Sequence, residues 1–240
     1  MNQVNPNFTH QTIFVGNEKA PVFILDNFLV DTSSVINFAC QQGFTKETPS
    51  ASEVQKNVFP GVRTNVDGDY GNTLIRAIAS IFYGFYNVPQ HLTLTPVSGD
   101  YSLMTTHEKD MDLLQCLPHF DTSSVYQFAV LHYLNEGDFG GTAFYRHVPT
   151  GFERVTPARV PEYLAAAQKF IDMNGNPEKK YFTHSTSHFE HLATVSYKPN
   201  RVVIYPSNLL HSAFIDNPEH DINSEPKLGR LTANIFIDFK

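Results

Sequence analysis

From position 92 to the C-terminus the chain breaks into short runs rich in β-branched and aromatic residues, separated by Gly, Pro and Asn. This texture restricts the fold more than any other feature. Segments 92–96, 101–105, 113–120, 126–134, 142–146, 201–206 and 231–239 read as strands. Ahead of them, Leu74, Ile78, Ile81, Phe82 and Phe85 recur at helical spacing, which predicts an amphipathic helix over 70–86. A shorter helix, capped by Asp31 or Thr32, is expected to run through Phe38 to Gln42 and stop at Gly43. Two short strands, 12–15 and 21–25, flank a turn at Gly16-Asn17, and a loop rich in Ser, Thr and Pro fills 44–58. Helices first and strands afterwards imply an α+β, mainly β chain, with N-terminal helices packed on a double-sheet jelly roll.

The 240 residues are read as one domain, in which 1–90 support a core formed by 91–240. An insert at about 149–199, helical over 161–171, precedes the second half of that core. Hydrophobic residues make up 41% of the chain, enough for a large core. A net charge of −7 argues against nucleic acid or an anionic membrane as partner. Cys40 and Cys116, with no CxxC, read as reduced buried thiols. No apolar run resembles a signal peptide or approaches the ~20 residues of a membrane span, so a cytoplasmic setting is expected.

The final strand carries a chemical message in its alternation. Leu231, Ala233, Ile235 and Ile237 fall on one side, and Arg230, Thr232, Asn234, Phe236 and Asp238 on the other. Three successive polar groups facing a barrel interior are costly unless a polar ligand satisfies them. Arg230 offers a planar fork for a carboxylate, and Thr232 adds a hydroxyl. Upstream, His119 and Asp121 stand two positions apart, hence on one side of an extended strand. His211, which emerges from the apolar run 201–210, is a candidate third ligand. Two imidazoles and one carboxylate on one face of a cation leave up to three coordination positions open, a donor set suited to non-haem Fe(II).

Taken in order, Pro118-His119-Phe120-Asp121, Tyr133-Leu134-Asn135, Gly140-Gly141-Thr142-Ala143-Phe144, the run 201–211 and Gly229-Arg230-Leu231-Thr232 resemble the Fe(II)/2-oxoglutarate-dependent oxygenases, in particular their prolyl-hydroxylase-like branch. The resemblance spans about 20–240 and implies a double-stranded β-helix core. It implies Fe(II) held by His119, Asp121 and His211, and 2-oxoglutarate as cosubstrate bound by Arg230, Thr232 and Tyr133. It further implies hydroxylation of a C–H bond by O2, with release of succinate and CO2, on an amino acid, peptide or small natural product. Asp121 and His211 lie farther apart than in compact prolyl hydroxylases. Arg230 also stands where the collagen type uses Lys, and both points argue against a prolyl substrate. Related halogenases have a small residue at the position of Asp121, so hydroxylation is favoured.

Arg63, Tyr126 and Asn208 are further candidates for contact with substrate, and Tyr205 could reach the same cavity. His184, His188 and His191 have helical spacing and could line a helix face, as a polar lid or a second metal site. The alternative from a different class is a cupin-like metal-binding or carbohydrate-binding module that does not use 2-oxoglutarate.

Overall fold

The computed structural model of this protein describes residues 2–46 and 59–240, so most of the expected 44–58 loop lies outside the described residues. Seven strands form one antiparallel sheet in the order β1 (Thr9–Val15), β2 (Ala20–Asp26), β8 (Arg201–Pro206), β5 (Gln127–Tyr133), β10 (Leu231–Phe239), β4 (Leu94–Met104) and β3 (Gly61–Asn65). A smaller antiparallel sheet has the order β7 (Phe189–Val195), β6 (Thr142–His147) and β9 (His211–Ala213). The helices are α1 (Ser33–Gln41), α2 (Gly68–Gly84), α3 (Val160–Asn174) and the single turn α4 (Pro218–Asp221). The chain is therefore mainly β with a few helices, as expected.

Period-two alternation divides the large sheet into two faces. Val130, Val202, Ile204, Leu231, Ala233, Ile235 and Ile237 pack against α1 and α2, where Tyr70, Leu74, Ile78 and Phe82 form the buried stripe of α2. Ala129, Leu131, Tyr133, Val203 and Tyr205 point the other way, toward Phe144 and Val195 of the small sheet. The apolar alternation read for the last strand is thus the alternation observed. Asp67 caps α2 by accepting from the Tyr70 amide at 2.7 Å. At α1 it is Asp31, not Thr32, that binds the first turn, through the Ser33 amide at 2.9 Å.

Several boundaries differ from the sequence reading. The segments expected at 92–96 and 101–105 are one strand, β4, because β10 pairs along its whole length. Pro96, taken as a break, sits where the register shifts between Phe236 and Ile237, a bulge that tolerates a missing N–H. The run 113–120 is not a strand: Leu113–Cys116 forms a 3-10 turn fastened by a reciprocal cap between Asp112 and Gln115. The insert is shorter than expected, because Phe189–Val195 is strand β7 paired along β6. His184, His188 and His191 accordingly share no helix. His188 is buried against Phe170, with stacked rings 4.1 Å apart, and His191 lies on β7. The hairpin β1–β2 does turn at Gly16-Asn17, where buried Glu153 accepts from the Asn17 and Glu18 amides at 2.9 and 2.8 Å. Among the described residues no helix is long and apolar enough to cross a membrane.

Candidate metal centre

The segment carrying His119 and Asp121 is clamped to β9 and to the turn before it by its backbone. His119 N–H donates to the His211 carbonyl at 2.9 Å, His211 N–H returns the bond at 2.8 Å, and Asp121 N–H donates to Ser207 O at 2.8 Å. In this extended stretch Phe120 points away, edge-on to Tyr163 of α3, while its two neighbours face inward. His119, Asp121 and His211 each present a ligand atom, and these atoms lie within 4.8 Å of one another. The Asp121 carboxylate stands 3.8 Å from His119 Nε2 and 3.7 Å from His211 Nε2.

The second nitrogen of His211 fixes which edge of that ring is left free. Its Nδ1–H donates to the Leu209 carbonyl at 2.8 Å, which leaves the Nε2 lone pair aimed at the cluster. His119 is held well below its usual range, first by burial and then by the charges of His211 and Arg63, so its imidazole is neutral. Burial raises Asp121, while His211 and Arg63 oppose that rise. A carboxylate made costly to ionise beside two imidazole rings is a cluster that a divalent cation could stabilise.

The three groups open onto a cavity with further polar lining: Arg230 just before β10, Thr232 and Asn234 from β10, and Thr142 from β6. Arg230 is only 3% exposed. Its Nε and Nη2 donate to the Gly140 and Gly141 carbonyls at 2.6 and 2.9 Å, and its guanidinium lies 5.5 Å from the Tyr133 ring centroid. No carboxylate among the described residues pairs with it. The two glycines are required: a Cβ on Gly140 would strike the Phe214 carbonyl, and one on Gly141 the Val195 carbonyl. Asp221 fixes this turn by accepting from the Gly140 amide at 2.9 Å. Thr232 is buried and hydrogen-bonded to Asn234, and Asn234 in turn donates to the Ser102 hydroxyl at 2.9 Å.

The other expected site residues divide. Arg63 lines the cavity, with its guanidinium 4.7 Å over the Phe59 ring and its Nε 3.2 Å from Ser102 Oγ. Tyr205 lines it too. Tyr133 does not: it is fully buried behind the wall, stacked on Tyr197 and hydrogen-bonded at 2.8 Å to Thr142. Tyr126 is exposed just before β5, shares the parity of Phe128 and Val130, and is not among the residues that line the cavity. Asn208 is buried in the turn between β8 and β9, where its carbonyl accepts from Val155 N–H, and it too is off the cavity wall. Sequence reasoning missed Tyr181 and Phe182, which the insert contributes to the wall. The polarity of the insert between 172 and 180 hid them.

A family model described as a family of unknown function (DUF6445) matches residues 6–237. No curated protein matches the chain. Solved structures similar to it include the non-heme alpha ketoglutarate dependent epimerase SnoN from nogalamycin biosynthesis, at 13% identity and TM-score 0.46, covering 96% of this chain and 78% of that one. AviO1 from Streptomyces viridochromogenes Tue57 is similar at 11% identity and TM-score 0.44, covering 96% and 89%. HygX from Streptomyces hygroscopicus, with nickel and 2-oxoglutarate bound, is similar at 12% identity and TM-score 0.41, covering 92% and 84%.

Proposed function

The chain belongs to the family of unknown function DUF6445, and for it we propose a non-haem Fe(II)- and 2-oxoglutarate-dependent oxygenase that hydroxylates an unactivated C–H bond. In this reading residues 1–240 are one oxygenase domain, and the two sheets are the halves of a jelly-roll core. The observation that carries it is a buried guanidinium, Arg230, that shares one cavity with the convergent His119, Asp121 and His211. The donor set fits the metal: two imidazoles, that of His211 with its Nε2 lone pair left free, and one carboxylate suit Fe(II) with open positions. With 2-oxoglutarate and O2, iron so held supplies an oxidative decarboxylation that releases succinate and CO2 and oxidises the substrate.

The chain's own residues do the rest. His119, Asp121 and His211 hold the metal, and the Leu209 carbonyl keeps the His211 ring in its ligating tautomer. Arg230 receives the distal carboxylate of 2-oxoglutarate. Two of its N–H groups are already tied to neutral carbonyls, so its charge remains to be balanced by a ligand. Thr232 and Tyr133 support that end, Thr232 through its hydroxyl and Tyr133 through its ring against the guanidinium. Arg63, on the same wall, is placed to hold a carboxylate of an amino acid, peptide or small natural product. Phe59, Leu117 and Phe182 keep water from that region. Asp121 fills the third ligand position, which supports hydroxylation over halogenation, and Arg230 in place of Lys distances the chain from collagen-type prolyl hydroxylases.

The test is an anaerobic titration with Fe(II) and 2-oxoglutarate. A weak visible charge-transfer absorption should develop only when both are present, and succinate should form once O2 is admitted. Protein that takes up the metal but gives neither signal is a metal-binding module, and the oxygenase reading then fails.

A further inference from the structure

Tyr205, on β8, is a buried tyrosine that lines the cavity beside the candidate ligands. Its ring is wedged edge-on between Phe144, with centroids 5.3 Å apart, and the candidate ligand His211, with centroids 4.8 Å apart. The residue is 5% exposed and lines the cavity. A buried phenol normally finds a hydrogen-bond partner. Tyr133, Tyr145, Tyr181 and Tyr197 each do so, with Thr142, Phe182, Thr106 and Asn135 respectively. The Tyr205 hydroxyl forms no hydrogen bond among the described residues, and it is not one of the unpartnered polar atoms sealed away from the cavity.

The cavity lining locates that side chain: Tyr205 shares it with His119, Asp121 and His211 at one end and with Arg230 at the other. Its hydroxyl is a donor with no acceptor among the described residues. Thr142 and Ser212 also line the cavity, but Thr142 is paired with Tyr133 and Ser212 donates to Tyr145 at 3.2 Å.

Building on the 2-oxoglutarate reading, we propose that Tyr205 is a binding residue for the 2-oxo acid: its hydroxyl donates to an oxygen of the acid between the metal cluster and Arg230. Its ring, braced by His211 and Phe144, sets the direction of the bond, so the site selects acids long enough to span the cluster, Tyr205 and Arg230. Tyr133, assigned to the cosubstrate by resemblance, then acts from behind the wall, while Tyr205 makes the contact.

The test compares the protein with Tyr205→Phe, which keeps the ring and removes one oxygen. Both are loaded with Mn(II) without O2 and titrated calorimetrically with 2-oxoglutarate and, separately, with pyruvate, which lacks the distal carboxylate. A hydrogen bond to a charged ligand predicts that the variant binds 2-oxoglutarate roughly 10- to 100-fold more weakly, with Mn(II) affinity unchanged. Turnover of Fe(II)-loaded protein should show the loss in KM rather than kcat. A tyrosine ultraviolet difference signal should accompany 2-oxoglutarate binding to the wild-type protein and shrink in the variant. Wild-type binding with unchanged affinity in Tyr205→Phe overturns the Tyr205 assignment alone. Wild-type protein that binds Mn(II) but no 2-oxoglutarate overturns the oxygenase reading and this inference together.

Discussion

The two faces of the large sheet treat polar side chains in opposite ways. On the helix-covered face His132 is fully buried, yet both ring nitrogens are satisfied: Nδ1 accepts from Tyr70 Oη at 2.7 Å and Nε2 donates to Asn200 Oδ1 at 3.1 Å. Asn200 is fixed in turn by the Leu29 amide and carbonyl at 2.9 and 2.8 Å. That network closes on itself and specifies how strands and helices dock. On the cavity face, groups converge without closing. Two imidazole nitrogens meet at a carboxylate, and an arginine balanced only by neutral carbonyls lies across the cavity. Buried polar groups are expensive in both places, but only the second arrangement leaves its charge to be completed from outside the chain.

This contrast breaks most sharply at the candidate metal ligands His119 and Asp121. His119→Ala and Asp121→Ala should lose metal binding and reduce succinate formation by more than the roughly 10–100-fold typical of losing an outer partner of a metal ligand. Their melting temperatures should move little, because both residues lie at the cavity and outside the apolar core. Turnover retained in either variant would mean that the cluster is not the ligand set. On the opposite face, Phe82→Ala removes a fully buried ring packed on Phe128 and Phe239. It should cost about 3–5 kcal/mol of stability, read as a lower denaturation midpoint. In the fraction that stays folded, 2-oxoglutarate affinity should be unchanged. Arg230→Ala should do the reverse, weakening 2-oxoglutarate by about 2–5 kcal/mol while sparing metal affinity. Equal losses of metal and 2-oxoglutarate in Arg230→Ala would remove it from cosubstrate binding.

The sequence displayed the cavity face of β10 because its two sides differ in chemistry: Leu231, Ala233, Ile235 and Ile237 against Arg230, Thr232 and Asn234. The pair His119 and Asp121 was equally readable, since period two alone puts them together. Strand β7 was not readable. Glu190, His191 and Thr194 interrupt its apolar pattern, and only Phe189 and Val195 at its ends are buried, as suits the edge of a small sheet. The run at 113–120 misled in the other direction, because short apolar runs do not separate strand from helical turn; the Asp112/Gln115 cap fastens Leu113–Cys116 as a turn. What holds Arg230 is backbone, the Gly140 and Gly141 carbonyls, and no side-chain pattern announces a carbonyl. Tyr126 was a candidate by residue type alone, and residue type does not say which face of a strand a side chain takes.

Acid separates the two faces by a different route. The closed network of His132 uses one nitrogen as acceptor and one as donor, so it requires the neutral ring. Burial is the principal cause that lowers the pKa of this ring from 6.5 to about 4. The unfolded chain, whose histidine keeps its ordinary value, then binds more protons than the folded chain between those limits. Stability is consequently full above about pH 6.5 and declines as pH falls toward 4, by up to about 3 kcal/mol from this residue. Urea unfolding at pH 7 and pH 4.5 measures the decline, and the same pair of measurements on His132→Asn isolates it, since the variant has no imidazole to charge. The difference between the two pH values should shrink by about 2–3 kcal/mol in the variant. An unchanged difference would mean that His132 is already charged in the fold, and the helix-covered face would then carry an unbalanced cation of its own, erasing the distinction between the two faces.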